Sequence, residues 1–252
     1  MPIVRFFGRV LPLHRKVNLT GHPGVVWDAV ELGLTIAFRI QIAESIVIVD
    51  CEMERFEKDK DFLDLYLRAY DFVLAALDLI SFSTGIGHLL ILEKLIEPDG
   101  TTTDLESIFP AAATLSTATN SDPNGIAALL PIVSTEPPVF RALRDLIDGI
   151  MMGHSSAVNC GRVLDALRKL IAPELEIAPG WAKLRSTLRA ERSYLDLISN
   201  TSKNPRHGDF ARIKGDITLE VGTRTWTLMN RYLEFRKRGN QPLPESEFPV
   251  LV

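Results

Sequence analysis

Cysteine is almost absent. The 252 residues contain two, Cys51 and Cys160, and neither has another cysteine or a histidine at metal-ligand spacing. That excludes a disulfide framework and the Cys/His motifs of zinc and haem sites, and it fits reduced core thiols in a cytoplasmic protein. Long apolar runs are missing too. The longest, Phe72 to Ile86, is interrupted by Asp78 and falls short of the roughly 20 residues of a spanning helix. No membrane element is expected. Met1-Pro2-Ile3-Val4-Arg5 lacks the basic segment and apolar core of a signal peptide. Gly85-Ile86-Gly87 lacks the third glycine of a dinucleotide loop, and there is no P-loop and no Gly-x-Ser-x-Gly elbow. No metal or organic cofactor is therefore expected.

What is present is ordinary for a folded protein. Hydrophobic residues make up 46% and charged residues 24%, which excludes a disordered or low-complexity chain. The net charge of −4 conceals an asymmetry. Residues 1–136 carry 10 Lys+Arg against 19 Asp+Glu, and residues 137–252 carry 18 against 13. An acidic half thus precedes a basic one. The basic half reads either as arginine-rich helix surfaces or as a surface that meets an anion such as RNA.

The pattern along the chain predicts an α+β class. Residues 1–100 form an α+β module of unassigned role. Ile3–Val10, Val25–Trp27, Leu34–Ile40, Ser45–Cys51 and Leu89–Leu92 read as strands, rich in β-branched residues. From Asp59 to Ser83 the apolar positions fall at helical spacing, so a small sheet with one long helix across it is expected. Glu52, Glu54, Glu57, Asp59, Asp61 and Asp64 cluster near the start of that helix and read as a solvated loop and first turn. Residues 101–136 read as an ordered connector with short helices near Asp104–Ala113 and Gly125–Val133. Residues 137–252 read as a four-helix bundle with a surface tail. Its helices are expected near Pro138–Met152, Ser155–Ile171, Trp181–Ser199 and Ile217–Arg238, each with an apolar stripe that must be buried.

Between the last two of these helices lies Ser199 to Asp209, a polar segment read as a loop that presents Arg206 and His207 at the end of the bundle. With Arg162-Val163-Leu164-Asp165-Ala166-Leu167-Arg168 and Trp181, it makes residues 137–252 resemble the HEPN superfamily of helical domains. The resemblance implies an RNA-directed protein, and many members are metal-independent endoribonucleases in which two copies pair and join their loops into one cleft. It also implies a homodimer through the bundle and a defence or toxin setting. His207 matches the family's histidine. The family's arginine, four to six residues earlier, would fall at Asn200, Thr201 or Ser202.

The chemistry can be stated without the family. Cleavage of RNA without metal needs proton transfer and positive charge at the phosphorane. His207, whose imidazole type titrates near neutral pH, suits the first. Arg206 and Lys203 suit the second, with Asn204 orienting phosphate. Arg224 and Arg231, with Arg238, recur every seven residues on the last helix and read as a solvated face or as a phosphate-tracking stripe. The competing reading makes Pro205-Arg206-His207-Gly208 a plain interhelical turn with Arg206 paired to Asp209. The alternative function is then a non-catalytic HEPN-like module for interaction or ligand binding. His14, His22, His88 and His154 are scattered singles.

Overall fold

A computed structural model of the chain describes residues 1–19, 24–30, 32–105, 116–119, 123–152, 155–208 and 213–252. The chain divides into two compact units, Met1–Ile108 and Phe109–Val252.

The first unit is a six-stranded antiparallel sheet with one long helix, confirming the α+β class. The strands are β1 (Ile3–Leu11), β2 (Val25–Ala29), β3 (Leu34–Ala43), β4 (Ile46–Glu52), β5 (Leu89–Ile96) and β6 (Thr102–Asp104), in the spatial order β2-β3-β4-β1-β5-β6. Alternation decides which face is covered. Val4, Phe6, Ile36, Phe38, Val47 and Val49 are buried, while Arg5, Arg9 and Arg39 on the other face pair with Asp50, Glu93 and Glu52. Helix α1 (Lys58–Thr84) connects β4 to β5, which lie on either side of β1. It packs Leu65, Tyr66, Tyr70 and Val73 into the same core, with Phe38 edge-on to Phe72 at 5.0 Å. Each large apolar side chain so buried contributes on the order of 1.5–3 kcal/mol.

Two details depart from expectation. The β1–β5 register shifts between Phe7 and Gly8. A Cβ on Gly8 would come within 2.2 Å of the Ile91 carbonyl oxygen, so only glycine permits this approach. Asp61 is not solvated with its acidic neighbours. It is 2% exposed and accepts hydrogen bonds from the Glu57 N–H at 2.8 Å and from Arg55 at 3.3 Å, closing the first turn of α1.

The second unit contains six helices among the described residues: α2 (Pro123–Thr135), α3 (Pro137–Met151), α4 (Ser156–Ile171), α5 (Ile177–Leu188), α6 (Arg192–Arg206) and α7 (Gly215–Lys237). Helix α4 is the hub and packs against α3, α5, α6 and α7. Leu146, Leu164, Leu167, Leu188, Ile198 and Tyr232 form the centre of the core. The expected connector is divided between the units: β6 joins the sheet, and α2 packs on α3. The expected short helix near 104–113 falls largely on residues outside those described.

The expected third helix is two helices. The break is at Arg189, in the left-handed region at φ 52°. The tail pairs at this point. Leu251 donates its N–H to the Arg189 carbonyl at 2.9 Å, and Glu191 donates to the Leu251 carbonyl at 2.8 Å. The tail is thus part of the core edge, with Leu243 and Phe248 buried.

Helices α3 and α7 are tied at their ends. Arg236 donates to both carboxylate oxygens of Glu136 and, at 2.8 Å, to the Tyr232 hydroxyl. This two-armed bond holds the Glu136 carboxyl below the usual range. A depressed carboxyl stabilises the fold above its ordinary pKa of about 4.3, and that stabilisation disappears as the pH falls through the depressed value. Glu136→Gln is expected to lower stability at pH 7 by about 0.5–1 kcal/mol, a figure reduced for the pair's partial exposure. The gap from wild type should close in acid. Urea melts across the pH range check both points.

Candidate functional site

Helix α6 runs through the segment expected to be a loop. Its amphipathic pattern continues past Ser199, with Ile198 and Ser202 buried, and Pro205 lies in the last turn, where it gives up one ladder hydrogen bond close to the point at which the helix ends. His207 ends the helix at φ −99°, donating its N–H to the Asn204 carbonyl at 3.0 Å. Gly208 follows at φ 87°, a conformation open to glycine. Lys203, Asn204, Arg206 and His207 are all exposed at this helix end. Asp209 lies outside the described residues. Arg206 instead reaches α4, donating to Asp165 at 2.7 Å.

The heptad arginines of α7 are committed to the fold. Arg231 is 5% exposed and donates to the carbonyls of Leu188 and Arg189 at 2.9 Å and of Pro249 at 2.7 Å. Arg224 pairs with Glu220 at 2.6 Å and lies over the Tyr194 ring at 4.7 Å. Arg238 pairs with Glu247 of the tail. Arg231 is enclosed beneath the tail, whereas Arg224 and Arg238 are half-buried and engaged by Glu220, Tyr194 and Glu247.

A groove of about 690 Å³ opens between α3 and α4. Its apolar lining is Pro137, Pro138, Ala142, Ala166, Leu170 and Pro173, and its charged lining is Arg141, Arg162 and Lys169 with Asp145 and Asp165. Positions 162, 165, 166, 169 and 170 share one face of α4 by helical spacing. The prolines begin α3, where a proline is preorganised for the first turn. Arg162 lies 3.3 Å from Asp145. Burial, helped by the nearby Asp148, pushes the Asp145 carboxyl up against the pull of Arg162 and Arg141. The Arg206–Asp165 pair joins the α6 end to this groove.

Residues 4–105 match the DUF8168 N-terminal domain, and residues 126–237 match the DUF8168 C-terminal domain, both domains of unknown function. The chain matches both domains of DUF8168. The first match covers the sheet through β6, and the second covers the groove and stops at the last residue of α7. The tail that holds Arg231 lies beyond it. No curated protein and no solved structure matches the chain.

Other chemistry is sparse. No group of three His, Cys, Asp or Glu residues able to hold a metal ion occurs among the described residues. Both cysteines are free and buried, with thiols pushed up by burial. His88 shares a 2.9 Å hydrogen bond with Ser81. No single helix among the described residues is long and apolar enough to cross a membrane. Arg141, Asp145, Asp165 and Lys169 went unremarked in the sequence as site residues. The available signal was two charges of opposite sign, Asp165 and Lys169, flanking Ala166 and Leu170 on one stripe of α4.

Proposed function

We propose that the C-terminal unit is an HEPN-like module that binds single-stranded RNA without cutting it, using the α3–α4 groove. The observation that carries this reading is the groove itself: about 690 Å³, with apolar side chains and guanidinium and ammonium groups together in its lining. Single-strand binding combines Lys/Arg contacts to the backbone with stacking of bases on aromatic rings or guanidinium planes, and this groove, which has no aromatic residue in its lining, offers the second kind. Arg141 and Lys169 hold phosphates, and Lys203 and Asn204 lie past Arg206, outside these two contacts.

Support for binding without cleavage comes from Ser202. A Cβ on Gly161 of α4 would lie 2.3 Å from its hydroxyl oxygen, so one of the three positions where the family's arginine would fall is closed by helix packing. The catalytic reading retains one supporting feature, the exposed His207 beside Lys203 and Arg206. Two copies would then face their α6 ends toward one another.

The test is fluorescence anisotropy with a labelled oligouridylate. Arg141→Glu with Lys169→Glu should weaken binding at least tenfold, roughly 1.4 kcal/mol or more. Unchanged binding in that variant removes the groove from the account. Incubation with RNA in chelator separates the two readings: cleavage that is lost in His207→Ala favours the nuclease, and intact RNA favours the binder.

A further inference from the structure

The groove carries its own competitors for phosphate. Asp145 sits 3.3 Å from Arg162, and Asp165 holds Arg206 at 2.7 Å. Both carboxylates line the groove. Resting on the RNA-binding reading above, we infer that Asp145 and Asp165 act as built-in phosphate mimics, which keep Arg162 and Arg206 occupied and restrict the groove to ligands with two or more adjacent phosphates.

The charge balance sets the ligand class. Arg141, Arg162, Lys169 and Arg206 bring four positive charges, and Asp145 and Asp165 bring two negative ones. The remaining positive charge matches two phosphodiesters. A ligand with a single negative charge gains little, since it meets two carboxylates at close range, and like charges there cost affinity. A strand with consecutive phosphates engages Arg141 and Lys169 while Arg162 and Arg206 stay on their aspartates. The groove therefore favours a polyanionic strand over a lone carboxylate or nucleoside.

Arg141 and Asp148 also face Asp145 electrostatically. Asp148 itself pairs with Arg144 on the same helix. Asp145 is thus the carboxylate on α3 that is set against the opposite wall, and Asp165 is its counterpart toward α6.

Salt dependence reads this arrangement directly. Each phosphate contact to a single strand contributes about 0.7 to the slope of log affinity against log salt. Wild type, contacting through Arg141 and Lys169, should give a slope of about −1.4. Asp145→Asn with Asp165→Asn frees two guanidiniums, so the slope should steepen to about −2.8, with affinity for oligouridylate rising roughly tenfold at about 50 mM salt. The single Asp165→Asn variant, at a more exposed position, should fall between at about −2.1. Asp196→Asn serves as control, because Asp196 pairs with Arg192 on α6 and does not line this groove; it should leave the slope unchanged. Equal slopes and equal affinities in wild type and both groove variants overturn the inference while leaving RNA binding intact. Weaker binding by the groove variants also overturns it. No binding by any of them overturns the RNA-binding reading itself.

Discussion

Replacing Arg231 with methionine should lower the stability of the C-terminal unit by about 3–5 kcal/mol, a drop of about 10 °C in its melting temperature. The guanidinium makes three bonds to main-chain carbonyls, those of Leu188, Arg189 and Pro249. Two lie at the end of α5 and one in the tail. Methionine has similar length and fills the space beside Phe248, where the Arg231 guanidinium lies 5.8 Å from the ring, but it donates nothing. The Leu188 and Pro249 carbonyls then lose this donor while the Arg189 carbonyl keeps the Leu251 N–H, and an orphaned buried acceptor is the costly half of losing a hydrogen bond. Lysine should rescue only part of the loss, since an ammonium group lacks the planar fork that spans separate acceptors. Removing residues 241–252 deletes the Pro249 acceptor and the Leu251 pairing. Its effect should overlap with that of Arg231→Met rather than add to it. Circular dichroism melts of the single variants and their combination decide the matter. A wild-type melt for Arg231→Met, accompanied by weakened RNA binding, would return Arg231 to the phosphate role that its heptad spacing suggests.

Ser202→Arg should prevent the C-terminal unit from folding. Ser202 is fully buried, donates to the Ser199 carbonyl at 3.0 Å and faces Gly161, where even a methyl group would clash. An arginine there must force α4 and α6 apart or bury a charge without a partner, each worth several kcal/mol. Asn200→Arg, at an exposed position on the same helix, should stay within about 0.5 kcal/mol of wild type. The pair separates packing from simple addition of charge. Soluble, cooperatively melting Ser202→Arg protein would mean that α4 and α6 do not meet at Gly161.

The alternating runs of β1, β3 and β4 were legible in the sequence because their buried residues sit at every second position against one helix. Helix α1 was legible for the same reason at a period of 3.6. Its sheet partner β5 was read too short, since Glu93 and Lys94 interrupt the apolar run, and Glu93 falls at the register shift opposite Phe7 and Gly8. The break at Arg189 had no local signal. Thr187 to Arg192 contains neither glycine nor proline, and the pairing found at the break comes from Leu251, about sixty residues away in the tail.

The segment carrying His207 was misread as a loop through the opposite error. Ser199 to Arg206 looked like a loop because only Ser202 among its last residues is buried, and a polar helix end resembles a polar turn. Arg224, Arg231 and Arg238 looked solvated because helical spacing reports which residues share a face but not what lies over it. The groove charges of α3 and α4 carried no motif. They come together only where two helices bring Asp145 against Arg162.

Photocrosslinking of RNA containing 4-thiouridine, followed by identification of the attached peptides, tests groove binding most directly. Crosslinks should fall on α3 and α4 between Pro137 and Pro173 and be lost in the double charge reversal of Arg141 and Lys169. Crosslinks confined to residues 4–105, or to the Lys203–Gly208 end alone, would contradict it.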